Sequence, residues 1–141
     1  MAGNGKKIVD AVIKLFVEGG GFDRVMEKMR IVSAGEGRCV AEMMVDKEHQ
    51  NKGGTLHGGM TATLVDIVST LALMTKDRGV PGVSVNMNIT YLKSAKQGDE
   101  IVINANTLKT GKNLAFLEVE ITNKATGNII ATGSHTKFVG S

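Results

Sequence analysis

The chain has 141 residues, of which 42% are hydrophobic and 22% charged, with a formal net charge of +3. That is one domain's worth of sequence, and so much apolar content with so little net charge excludes a disordered chain. A single cysteine excludes an intrachain disulfide and points to a reducing compartment. Three widely spaced histidines offer no structural zinc pattern, so no metal is expected. With no tryptophan, 4% aromatics and scattered lysines, no nucleic-acid partner is expected either.

The first twenty residues carry Lys6, Lys7, Asp10, Lys14 and Glu18, which interrupt any apolar core of a secretory signal. Within them, Ile8, Val9, Val12, Ile13, Phe16 and Val17 recur at helical spacing. They predict an amphipathic helix over 7–17, ended by Gly19, Gly20 and Gly21. Its apolar face has two candidate seats, the rest of the domain or a membrane surface. Residues 1–21 are read as this helical segment and 22–141 as the main body of a single domain.

Two strand-like runs follow, Met29–Ala34 and Arg38–Val45, and Gly35-Glu36-Gly37 between them predicts a hairpin. Alternation puts Cys39, Ala41, Met43 and Val45 on one face, which makes Cys39 a small core residue and not a nucleophile. A polar, glycine-rich loop spans 49–59. Residues 60–74 are apolar on every side and predict a helix buried all round, stopping near Lys76-Asp77-Arg78-Gly79 ahead of Pro81. The run is short for a membrane span and contains Asp66, so a soluble protein is expected. Beyond it the chain alternates: Val83, Val85, Met87, Ile89 and Tyr91 on one face, Ser84, Asn86, Asn88 and Thr90 on the other. Further strands are expected over 101–109, 114–123 and 128–139. Sequential strands with short turns give an antiparallel sheet, and a sheet around one buried helix is an α+β layer arrangement.

Two features carry chemistry. Asp66 is the only charged side chain between Met60 and Met74, too far into the helix to be its N-cap. A carboxylate there either faces a solvated groove, is held by hydrogen bonds, or is a general base. His57-Gly58-Gly59 places backbone N–H groups at the helix start, where the macrodipole favours negative charge. Such donors stabilise an oxyanion, although glycines before a helix also serve as a plain turn. Gly58 and Asp66 are eight residues apart, about 12 Å at the rise of an α-helix. One carbonyl cannot reach both on the same chain. Two antiparallel copies of the helix across a two-fold axis would bring Gly58 of one beside Asp66 of the other, which predicts a homodimer with two shared sites.

The segments NKGGTLHGGMTATLVD (51–66), PGVSVNMNITYLKSAKQGDEI (81–101) and NKATG (123–127) resemble the hotdog-fold acyl-CoA thioesterases, from about residue 22 to the C-terminus. The resemblance implies a long central helix wrapped by a curved antiparallel sheet, in homodimers that pair into homotetramers. It implies hydrolysis of medium- to long-chain fatty acyl-CoA to free acid and CoA, with no cofactor beyond the CoA of the substrate. Asn51 and the Gly58 N–H would polarise the thioester carbonyl, Asp66 would activate water and Ser84 would orient it. His57 would have an accessory role supporting the loop. CoA would contact Ser84, Asn86, the stretch Tyr91, Leu92, Lys93, Ser94, Ala95 and Lys96, the stretch Lys109, Thr110, Gly111, Lys112, Asn113 and Leu114, and Lys137. Phe138 departs from the pattern, standing where the resembling sequences have a polar, ionisable residue. His49 and His135 are expected at the surface. The Met-rich strands and the apolar helix are either plain core or the lining of an acyl tunnel. A cytoplasmic location, with the mitochondrion as a further compartment, and a lipid-handling protein partner complete the expectations. Two alternatives stand beside this reading: a hotdog hydratase or dehydratase with His57 central, and a non-catalytic acyl-CoA-binding protein.

Overall fold

The computed structural model describes residues 2–76 and 79–140. Its elements are α1 (Ala2–Glu18), β1 (Arg30–Gly35), β2 (Arg38–Met44), α2 (Gly58–Met74), β3 (Val83–Tyr91), β4 (Glu100–Thr110), β5 (Leu114–Asn123) and β6 (Ile129–Phe138). Asp77 and Arg78, part of the expected helix stop, lie outside the described residues.

The β1–β2 hairpin closes on Glu36 and Gly37, with φ of 53° and 81°. Positive φ at both central positions matches the right-handed twist of the flanking strands. Along β2, Cys39, Ala41 and Met43, then Val45, all face inward and are fully buried, as alternation predicts. Burial pushes the Cys39 thiol up to about 12, with Asp10 adding to the effect, so no thiolate is available there.

The strands form one sheet in the order β1-β2-β4-β5-β6-β3, every neighbouring pair antiparallel. The chain leaves β2, runs through α2 and re-enters the sheet as β3 at the opposite edge. That crossing lays α2 along the inner face, where it packs against β2, β4, β5, β6 and β3. Leu64, Val68 and Leu71 are fully buried on it, each stabilising the fold by about 1.5–3 kcal/mol relative to exposure. This is the hotdog arrangement that the resemblance implies. The other helix starts earlier than expected. Gly5 allows that approach: a Cβ there would lie 2.5 Å from the Ala34 carbonyl oxygen, so α1 sits close on the end of β1. Val9 and Ile13 are buried against the body, which gives the amphipathic face its seat within the fold.

β3 departs from the expected alternation. Ser84 pairs with Lys137 but Asn86 pairs with Thr136, so Val85 is an extra residue in a β-bulge. A bulge flips the phase, so Ser84 shares the inner face with Met87, Ile89 and Tyr91, while Asn86, Asn88 and Thr90 stay outside. β3 is also an edge strand whose apolar residues remain open in the protomer: Val83 is 68% and Val85 60% exposed.

Gly133 on β6 sets how closely the helix sits. A Cβ at Gly133 would lie 2.8 Å and 3.1 Å from the two γ-methyls of Val65 on α2. Valine is stiff in a helix, so the methyl cannot turn aside. Gly133→Ala is expected to lower the unfolding free energy by about 1–3 kcal/mol, measured by urea denaturation; an unchanged midpoint contradicts the close seating.

Candidate active site

The loop before α2 is locked around Asn51. Its Oδ1 accepts from the Thr55 N–H at 3.1 Å, and its Nδ2 donates to Thr55 Oγ1 at 2.9 Å. The Asn51 N–H donates to the Thr55 carbonyl at 2.8 Å. An amide has two N–H protons, so one remains uncommitted among the described residues. α2 begins at Gly58, and His57 is its N-cap, Nδ1 accepting from the Gly59 N–H at 2.8 Å. The Gly58 N–H itself has no acceptor among the described residues, at the end of the helix where the dipole is positive. The Tyr91 hydroxyl donates to the Gly58 carbonyl at 3.0 Å and ties the end of β3 to this turn. Asn51, Gly58, Tyr91, Leu92, Lys93, Ser94 and Ala95 line one cleft of about 390 Å³. His57 is committed to the cap: with Nδ1 accepting, the neutral ring carries its proton on Nε2.

Asp66 lies eight residues further along the same helix, about 12 Å by helical rise. Its carboxylate takes no hydrogen bond from a described residue. Around its helical turn the sheet places groups that the sequence reading assigned elsewhere. His135 is 1% exposed and Lys137 4% exposed, both on the inner face of β6. His135 Nε2 is 2.7 Å from Ser84 Oγ, and its Nδ1 is 2.8 Å from Ser69 Oγ on α2. Lys137 Nζ donates to Thr70 Oγ1 at 2.6 Å. Burial lowers the Lys137 ammonium from its ordinary value, and Asp66 opposes that. Burial also lowers His135, helped by Lys137 and opposed by Asp66.

Lys137, expected to contact CoA, is buried in the protomer, because β6 parity turns it inward. Two expectations are corrected. His135 is not a surface residue, for the same reason. His49 is buried as well, its Nδ1 accepting from the Asp46 N–H at 3.0 Å to close a short turn at Lys47–His49. Ser84 reaches the inner face because of the bulge, while Asn86 stands on the outer face opposite Thr136. Lysine is mostly found outside and histidine is only intermediate in burial, which is why composition misled. One sequence signal pointed the other way: Ala131 and Gly133 share parity with His135 and Lys137, and small residues mark a strand face pressed by another element.

The Lys109–Leu114 stretch forms the β4–β5 hairpin. Thr110, Gly111 and Lys112 line a separate cavity of about 200 Å³ with Leu73 and Val139. This cavity sits at the C-terminal end of α2, whereas the Tyr91–Lys96 stretch sits at its N-terminal end. The helix between them is about 25 Å long. Phe138 faces outward, paired in register with Leu114 and Val83.

Residues 53–130 match the family model of the thioesterase superfamily. The chain belongs to that superfamily. It is similar to acyl-coenzyme A thioesterase 13 of Mus musculus, 58% identical over 130 residues that cover 92% of this chain and 93% of the relative. The Homo sapiens protein of the same name is 56% identical over the same shares. The crystal structure of zebra fish thioesterase superfamily member 2 is 52% identical with a TM-score of 0.93, covering 96% of this chain and 98% of that one.

The His57 cap gives a direct check on the loop. His57→Ala is expected to lower stability by about 1 kcal/mol, and His57→Asn to restore most of it, read from denaturant midpoints. Equal midpoints for all three proteins contradict the capping role.

Proposed function

We propose that this thioesterase hydrolyses medium- to long-chain fatty acyl-CoA at a site shared by two copies of the chain. The observation that carries the reading is the pair of uncommitted donors, Gly58 N–H and the Asn51 amide, on one cleft while the uncommitted Asp66 carboxylate lies about 12 Å along the helix. The two donors suit an oxyanion. Asp66 of the partner copy takes a proton from water as the new C–O bond forms. The tetrahedral intermediate then collapses, the C–S bond breaks, and CoA leaves as thiolate and gains a proton. No step calls for a metal or cofactor.

Assembly support comes from β3. Its free edge presents unpaired backbone groups and exposed Val83 and Val85, which a second β3 would cover. The lysines divide in the same way. Lys93 and Lys96 lie at one end of α2, and Lys109 and Lys112, on the β4–β5 hairpin, at the other, and two antiparallel chains would bring one pair of each together. Pairing of dimers into tetramers is proposed with it, as is a cytoplasmic location. No described helix is long and apolar enough to cross a membrane. The hydratase alternative, which needs His57 as a proton acceptor, is disfavoured because Nδ1 already accepts at the helix cap and Nε2 of the neutral ring carries its proton.

Asp66→Asn is expected to cut thiol release by about 10²–10⁴-fold with an unchanged unfolding midpoint. The assay is release of free CoA thiol from acyl-CoAs of increasing chain length, with turnover expected to rise toward the medium and long chains. Near wild-type hydrolysis by the variant removes the base from the scheme.

A further inference from the structure

The mechanism above leaves Ser69 and His135 unused, yet both are buried and joined to Ser84 in one hydrogen-bonded chain. Its contacts point to one proton polarity. Ser69 Oγ is 3.1 Å from the Asp66 backbone carbonyl, which can only accept, so Ser69 donates. A hydroxyl has one proton. At His135 Nδ1, Ser69 can therefore only accept, and Nδ1 carries the ring proton. A neutral imidazole then has a bare Nε2, and Ser84 Oγ, 2.7 Å away, donates to it. The chain runs one way: Ser84 to His135 to Ser69 to the Asp66 carbonyl.

We propose that His135 is a positioning residue that makes Ser84 an acceptor at the reacting end. The relay holds Ser84's only proton, so its oxygen meets the attacking water with lone pairs alone. Water then gives one proton to Asp66 and directs the other at Ser84, which leaves its own lone pair facing the thioester carbon. This rests on the thioesterase reading and on Asp66 as base.

The relay requires a neutral ring. The charged groups facing His135 are Lys137 from its own strand and Asp66 from α2; neither β3 nor β5 contributes one. Burial and Lys137 both favour the neutral form, and Asp66 opposes them. A second tether runs beside the relay: Thr70 Oγ1 accepts from Lys137 and donates to the Asp66 carbonyl at 2.8 Å. Two side chains of β6 thus hold the turn that carries Asp66. Protonation of His135 Nε2 would reverse the relay. The ring would donate to Ser84, and the serine proton would swing toward the water. The relay's contribution to activity is therefore present above the lowered pKa of the ring and lost as pH falls through it.

Long-range proton–nitrogen NMR on histidine-labelled protein reads the tautomer without reference to activity. His135 is expected neutral at neutral pH with its proton on Nδ1; an Nε2–H tautomer or a charged ring overturns the relay. Kinetics supply the second arm. His135→Phe, which keeps a ring in the site, is expected to lower kcat by about tenfold to a hundredfold with KM unchanged. Ser84→Ala is expected to do the same, and the double variant to be no worse than either. Additive losses overturn the proposal. The acid limb of log kcat should fall more steeply in the wild type than in His135→Phe. A wild type that releases no thiol refutes the thioesterase reading, while the NMR result still decides the relay.

Discussion

The rise of an α-helix fixes the distance between the two halves of the chemistry. Gly58 opens α2 and Asp66 follows eight residues later, so the oxyanion donor and the carboxylate are held about 12 Å apart. The helix is packed along the inner face of the sheet and has no freedom to fold back on itself. A small substrate group cannot bridge that gap within one protomer. On the proposed reading the protomer carries two half-sites, and the open edge of β3 is the seam proposed for a second copy.

Within each half-site the same physics acts at shorter range. An unpaired polar group in an apolar interior is costly, so Ser69, Thr70, His135 and Lys137 are found bonded to one another across α2, β3 and β6. Those bonds converge on the backbone carbonyl of Asp66, and its carboxylate takes no hydrogen bond from a described residue. At the other half-site the same division holds. His57 and Tyr91 occupy the Gly59 N–H and the Gly58 carbonyl, and the Gly58 N–H has no acceptor among the described residues. In both places structural bonds use up the neighbours of the reacting group and spare the group itself. Gly133 is part of the arrangement, because it lets α2 approach β6 closely enough for these short bonds to form.

Much of the fold was legible because its signals are local. Alternation along β2 placed Cys39, Ala41 and Met43 correctly, and the run from Met60 to Met74 announced a helix, although that helix is not buried all round: Ala62, Thr63 and Asp66 form a half-buried stripe. Asp66 and Gly58 stood out because each contradicts its surroundings, a charge in an apolar run and a glycine pair at a helix start. The inner face of β6 was not legible in the same way. Lysine and histidine read as surface residues until a strand register turns them inward. The bulge at Val85 has no compositional mark, and without it Ser84 falls on the wrong face and away from His135. Register is a property of paired strands, so no window of one strand contains it.

The central claim is that each site draws Asn51 and Gly58 from one chain and Asp66 from another. Subunit complementation tests it most directly. Chains carrying Asp66→Asn and chains carrying Asn51→Ala are unfolded together in equal amounts, refolded, and assayed for thiol release. Half of the random dimers are then mixed, each with one intact site and one doubly altered, so the mixture should reach about a quarter of wild-type activity although each variant alone is nearly inactive. Activity no higher than the mean of the two separate variants contradicts a shared site.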